Sequence, residues 1–170
     1  TISVLNPIQD DYPRRHKHIK LHRGFYRYLF RVRKDTQTTK FDEIASKVEY
    51  YGSRLGDDYR LIVTGHSLGG ALATVFSFYA SLEERFTKNG PIQAITFGSP
   101  RVAGYQLADA IRYQEDSGKL LIARYHNKND VATHIPAVPL KPSQRGARYY
   151  HVGLDIRLPY VRNAFFRKFT

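Results

Sequence analysis

The feature that most constrains this chain is a junction. Arg60-Leu61-Ile62-Val63-Thr64 is a short run rich in apolar residues, and it runs directly into Gly65-His66-Ser67-Leu68-Gly69. From there Leu68, Leu72, Val75, Tyr79 and Leu82 recur at steps of four and three, so the period changes from that of a strand to that of a helix within about five residues. The run predicts a strand buried on both faces at the centre of a sheet. The spacing from Leu68 onward predicts an amphipathic helix, with a stop near Asn89-Gly90-Pro91. Between strand and helix the backbone must reverse sharply, and only small residues tolerate such a turn.

The same alternation continues downstream. Ile92 to Phe97 repeats the buried-strand pattern, Ala103 to about Glu115 is helical through Leu107 and Ile111, and Leu120 to Tyr125 is again a strand. Alternating strands and helices imply right-handed crossovers and a mainly parallel sheet with helices on both faces, the α/β class. Upstream, Thr1 to Leu5 holds a short strand within an otherwise irregular first 20 residues, and Gly24 to about Leu55 reads as two helices or one broken helix. Pro136, Pro139 and Pro142 mark a turn-rich stretch, and Val161, Ala164, Phe165 and Phe169 share a helical face suited to docking on the domain. With 170 residues the chain has material for one core, so a single domain over 1–170 is expected.

Gly65 to Gly69 matches G-x-S-x-G, in which a serine on a strand-to-helix turn is pushed out above the sheet. A side chain at 65 or 69 is expected to collide with the neighbouring strand or helix, and Gly70 adds further room. The positive end of the next helix lies under Ser67, and the Leu68 backbone amide can donate to an oxyanion there. A phosphate-binding turn would join a strand to a helix in the same way, but it needs a lysine and a wider glycine spacing that this segment lacks.

A serine in this position needs a base and an acid, which in hydrolases of this architecture come after it in the order acid, then histidine. Asp130 comes a few residues after the strand Leu120 to Tyr125, on the side of the sheet where such sites form. Asp109, Glu115 and Asp116 belong to the preceding helix and its end, and Asp155 lies beyond the last candidate histidine. His126, His134 and His151 all come after the serine, but His126 precedes Asp130 and His134 is only four residues past it. His151 has enough chain to approach the serine from one side while Asp130 orients it from the other.

Three blocks together resemble the class 3 (triacylglycerol-type) lipases: Leu21-His22-Arg23-Gly24-Phe25, Val63 to Ala73, and Thr96-Phe97-Gly98-Ser99-Pro100-Arg101-Val102. The resemblance spans roughly residues 20 to 155, with Asn127 to Asp130 and Pro136 similar to the family's acid loop and His151-Val152-Gly153 to its histidine loop. It implies an α/β-hydrolase fold and a Ser67, Asp130, His151 triad. It also implies an acyl-enzyme route on acylglycerols or phospholipids with no cofactor or metal. A catalytically silent signalling or scaffold domain and a lipid acyltransferase are the alternatives. The family's Val-Pro after the acid is Ala132-Thr133 here, and its usual Glu near Gly153 is Asp155. The family's upstream oxyanion strand and lid helix have no counterpart in this chain, which is therefore expected to be an N-terminally incomplete part of a longer protein.

Charge narrows the partners. The chain holds 27 Lys and Arg against 15 Asp and Glu, a formal net charge of +12, concentrated at Arg14 to Arg23 and Arg157 to Lys168. That balance favours anionic partners, but no helix-turn-helix, RNP or zinc-finger pattern accompanies it, so nucleic acid is not expected. A generally basic, solvated surface is the first reading of the charge, and an anionic lipid interface is the alternative. Cysteine is absent, which excludes disulfides and thiolate metal sites. No apolar run reaches the ~20 residues that cross a bilayer.

Overall fold

A computed structural model describes residues 1–56, 58–128, 130, 133 and 149–159. The Pro-rich stretch with His134, and the apolar face of the tail, lie outside the described residues. Two strands come first, β1 (Ile2–Leu5) and β2 (His18–Leu21), and then two helices, α1 (Arg23–Phe30) and α2 (Lys40–Gly52). Next come β3 (Ile62–His66), α3 (Leu68–Ala80), the short α4 (Glu84–Thr87), β4 (Ile92–Phe97) and α5 (Tyr105–Asp116). The last elements described are β5 (Leu120–Asn127) and β6 (Leu154–Leu158). Strands β3 to β6 form one parallel sheet in chain order, and β1 pairs with β2 in a separate antiparallel hairpin.

The expected strand, helix, strand, helix, strand unit is β3, α3, β4, α5, β5. Its helices are long enough for crossovers, and α2 has a complete capping box: Asp42 N donates to Thr39 Oγ1 and Thr39 N to Asp42 Oδ2, each at 3.1 Å. Two segments differ from expectation. His18–Leu21 is a strand, although its basic residues hide the alternation, and its Ile19 and Leu21 are fully buried. Leu154–Leu158 adds a fourth parallel strand beside β5.

Two packing expectations are corrected. β3 is the edge of the four-stranded sheet, not its centre, and Ile62 is 59% exposed. Leu61 O accepts from Gln93 N and Ser67 N donates to Phe97 O, so the odd-numbered residues of this segment face β4. The peptide groups of Ile62, Thr64 and His66 therefore point to the outer edge, which no described strand covers. An apolar groove of about 330 Å³ runs along that edge between Tyr28, Ile44, Val63 and Leu72.

Nor is α3 amphipathic. Ala71, Ala73, Val75, Phe76, Phe78 and Ala80 are all buried, whereas Leu68, placed on the expected apolar face, is 56% exposed. The cause is position: α3 packs on β3 and β4 and also against α1. An aromatic layer closes its outer side, where Phe76 meets Phe41 at 5.2 Å and Tyr79 meets Phe30 at 4.4 Å between ring centroids.

The hairpin is held to α5. Tyr12 stacks on Tyr113 at 4.4 Å, and His16 Nε2 lies 3.2 Å from Asp109 Oδ2. The contact that Asp109 makes is thus with the hairpin.

Candidate active site

Ser67 sits between β3 and α3 with φ 51° and ψ −122°. Positive φ is costly for a residue with a Cβ, about 1–3 kcal/mol, and persists only where the surroundings enforce it. Three bonds do so: Ser67 N donates to Phe97 O at 2.9 Å, and Ser67 O accepts from Gly70 N at 2.9 Å and Ala71 N at 3.2 Å. A serine at a helix N-cap normally turns its hydroxyl to the helix amides. This one makes no capping bond. The strained turn holds Oγ away from its own helix and leaves it for other chemistry.

Gly65 and Gly70 make the turn possible, for reasons of space. A Cβ on Gly65 would come closer than 3.0 Å to the Gly69 carbonyl and Gly70 N, and one on Gly70 would meet Ser99 Cβ at 2.9 Å. Gly69 differs from expectation: a Cβ there meets nothing within 4 Å, because that side of the first helical turn faces the open edge of β3. The Leu68 amide, first in the helix, has no backbone hydrogen bond among the described residues and lies at the positive end of α3.

Asp130 comes after β5 in a turn closed by its own carbonyl, which accepts from Thr133 N at 3.2 Å and Thr133 Oγ1 at 2.7 Å. Its carboxylate lies against Gly98, just past the end of β4, where a Cβ would stand 2.6 Å from Asp130 Oδ2 and 3.6 Å from His66 Nε2. Gly98 has φ +54°, and its N donates to Tyr125 O at 2.8 Å. The ends of β3, β4 and β5 are thereby tied together around Ser67 and Asp130, on the carboxyl side of the sheet.

His151 reaches this group through the Asp130–Thr133 turn. Its half-buried ring has Nε2 2.8 Å from Thr133 O, which accepts a hydrogen bond from that nitrogen. Among the described residues no hydrogen bond joins Ser67 Oγ to His151. The structure therefore brings His151 to the Asp130 turn, and its Nε2 is engaged there with Thr133. His126, the earlier histidine, lies instead beside Asp155, Nε2 to Oδ1 at 2.8 Å. Nothing in the sequence marks Thr133 as the acceptor for His151, since a backbone carbonyl leaves no trace in residue type.

Burial pushes the His151 pKa down to about 4; the charges of Arg124 and Arg101 add to this, and the Thr133 bond and Asp155 oppose it. The ring is thus neutral at pH 7 and able to accept a proton. The same shift has a stability consequence. The unfolded chain takes up a proton below about 6.5 while the folded ring does not, so stability falls as the pH drops from about 6.5 to about 4. Allowing for solvent screening of a half-exposed ring, the expected loss is on the order of 1–2 kcal/mol. Urea unfolding at pH 7.5 and pH 4.5 checks this: the difference between the two is smaller in His151→Asn than in wild type, and an equal difference refutes it.

The sequence profile of the family described as Lipase (class 3) matches residues 3–140. Phospholipase A1-Igamma1, chloroplastic, of Arabidopsis thaliana is 32% identical over 141 residues, covering 74% of this chain and 26% of that protein. Phospholipase A1 EG1, chloroplastic/mitochondrial, of Oryza sativa is 32% identical over 114 residues, covering 63% and 25%. Among solved structures, the lipase of Rhizopus microsporus var. chinensis superposes with a TM-score of 0.56 at 31% identity, covering 82% of this chain and 42% of that one. Lipase II of Rhizopus niveus superposes with a TM-score of 0.58 at 27% identity, covering 88% and 48%. The chain spans about a quarter of the length of these curated relatives and under half of these lipases. Its parallel sheet is that of the α/β-hydrolase lipases, and the chain belongs to the class 3 lipase family.

Proposed function

We propose that this chain is the catalytic domain of a serine carboxylic-ester hydrolase acting on lipids, acylglycerols or phospholipids. The observation that carries the reading is Ser67, held at φ 51° with its hydroxyl unused by the helix it begins. In this reading His151 takes the Ser67 proton and the oxygen attacks the ester carbonyl. The Leu68 amide and the positive end of α3 stabilise the oxyanion. The alcohol leaves with a proton from His151, and water activated by the same ring then releases the fatty acid. Asp130 orients the ring from the acid turn. For the proton to move, the imidazole leaves the Thr133 carbonyl and takes the other tautomer, its hydrogen passing through solvent from Nε2 to Nδ1, where Asp130 accepts a hydrogen bond from it, so that the bare Nε2 turns to Ser67 Oγ. Relatives named phospholipases A1 and lipases support the substrate class, and the basic surface supports docking on anionic lipid aggregates.

The engagement of His151 Nε2 by Thr133 favours a second reading, a silent lipase-like domain. One experiment separates the two. The full-length protein is treated with a fluorophosphonate probe and assayed on phosphatidylcholine vesicles and triolein emulsions, beside Ser67→Ala. Labelling and fatty-acid release that both require Ser67 establish the hydrolase. Absence of both in wild type supports the silent domain, and lipid-dependent acyl transfer to an added alcohol in place of release marks a transferase.

A further inference from the structure

Among the described residues Arg124 is the only buried residue with a permanently charged side chain, at 7% exposure in the middle of β5. Burying a guanidinium costs several kcal/mol unless it is paired. The partner is supplied across the sheet: Arg124 stands opposite Asp155 in the β5–β6 register, and its Nη2 donates to Asp155 Oδ1 at 2.7 Å. His126, two residues on and so on the same face, brings Nε2 to within 2.8 Å of that same oxygen, off the axis of a hydrogen bond. Among the described residues Arg124 Nε has no hydrogen-bond partner. One carboxylate of β6 thus answers two basic groups of β5.

The connection from this carboxylate to His151 is short and stiff. Only Val152, Gly153 and Leu154 separate them. Val152 is buried, and Gly153, at φ +77°, is pressed so closely on Ile122 that a Cβ would come closer than 3.0 Å to its Cβ and carbonyl oxygen. Whatever sets the start of β6 on β5 therefore sets where His151 stands. Among the described residues the charged groups bearing on the ring are Arg124 and Arg101, which disfavour the imidazolium, and Asp155, which favours it. Thr133 O accepts a hydrogen bond from the ring, and Asp130 lies in the turn that carries Thr133.

We infer that Asp155 is a positioning residue for His151: by pairing with Arg124 across β5 and β6 it anchors the histidine loop and cancels a buried positive charge that opposes formation of the imidazolium. This rests on His151 being the base of the proposed hydrolase. The proton that the ring takes from Ser67 makes it a cation next to a guanidinium, and Asp155 reduces that repulsion when it counts.

The test uses the full-length protein as wild type, Asp155→Asn, Asp155→Glu and the double variant Arg124→Met/Asp155→Asn. Two readouts are taken against pH: the rate of fluorophosphonate labelling of Ser67, and the NMR titration of the His151 ring, which needs no turnover. In Asp155→Asn the unopposed guanidinium moves both midpoints to lower pH by about half a unit or more, and kcat falls with little change in KM. Asp155→Glu restores the wild-type midpoints. The double variant, which removes both charges and remains informative should Asp155→Asn not fold, moves them to higher pH, because Arg124 weighs more on the ring than Asp155 does. Wild-type midpoints in both Asp155→Asn and the double variant overturn the inference and leave the pair a fold contact only. A wild type that does not label refutes the hydrolase reading instead, and the ring titration still decides whether Asp155 acts on His151.

Discussion

Replacing Ser67 by alanine lowers kcat/KM for ester hydrolysis by about 10⁴-fold or more, while the protein stays folded with an unfolding midpoint close to wild type. The two halves of this result have separate causes. The hydroxyl makes no cap to α3, so removing it takes away no bond that holds the helix. The backbone strain at φ 51° is unchanged, because alanine carries the same Cβ. Ser67→Gly separates these effects further. Glycine adopts this φ at little cost, so that variant is equally inactive yet more stable, by on the order of 1 kcal/mol. A serine held where it costs stability fits its proposed role as the nucleophile. Wild-type turnover in Ser67→Ala, measured with the same lipid emulsion, would end the proposal that Ser67 is the nucleophile. A Ser67→Gly variant less stable than wild type would refute the strain.

Much of this arrangement is legible in residue patterns, and the exceptions share a cause. Ile92 to Phe97 is a strand to the residue, and the switch of period at Gly65 to Gly69 locates the turn, because both depend on neighbours in the chain. The exposure of β3 does not. A strand rich in Ile and Val looks central in sequence, but whether it is flanked on both sides is decided by which other strands exist. Helix α3 fails in the opposite sense: its small residues, Ala71, Ala73 and Ala80, look like a polar-side filler until α1 is found packed against α3. Arg124 is different, because its sequence does carry a signal. A charge inside Leu-Leu-Ile-Ala-Arg-Tyr demands a buried partner, and only the identity of the acid waits on the structure. Asp130 and His151 are readable as candidates from chain order alone. The Thr133 carbonyl between them, being backbone, is not.

A single methyl group at position 65 has the largest structural effect expected at this site. Gly65 is not at positive φ, so the demand on it is room alone. Its Cβ would fall closer than 3.0 Å to the carbonyl carbon and oxygen of Gly69 and to Gly70 N. These are backbone atoms and cannot rotate aside. Nor can the turn that bears them move freely, since Gly70 N bonds Ser67 O, Gly70 O accepts from Thr74 Oγ1 at 2.9 Å, and Gly70 rests against Ser99. The first turn of α3 must lift off β3, taking Ser67 and the Leu68 amide with it. Gly65→Ala is therefore expected to lose about 3 kcal/mol of stability, roughly 6–12 °C in Tm for a domain of this size. A displacement of about 1 Å in the nucleophile lowers kcat by about 10²-fold as well. Gly69→Ala is the matched control, four residues away in the same motif. It adds the same methyl where nothing lies within 4 Å, inside a helix, so it leaves activity intact and raises stability by about 0.5–1 kcal/mol. Thermal unfolding and lipid hydrolysis of the two variants decide the matter: equal behaviour at 65 and 69 would mean that the motif's glycines serve backbone freedom generally, and that the close contact between β3 and α3 does not hold the nucleophile in place.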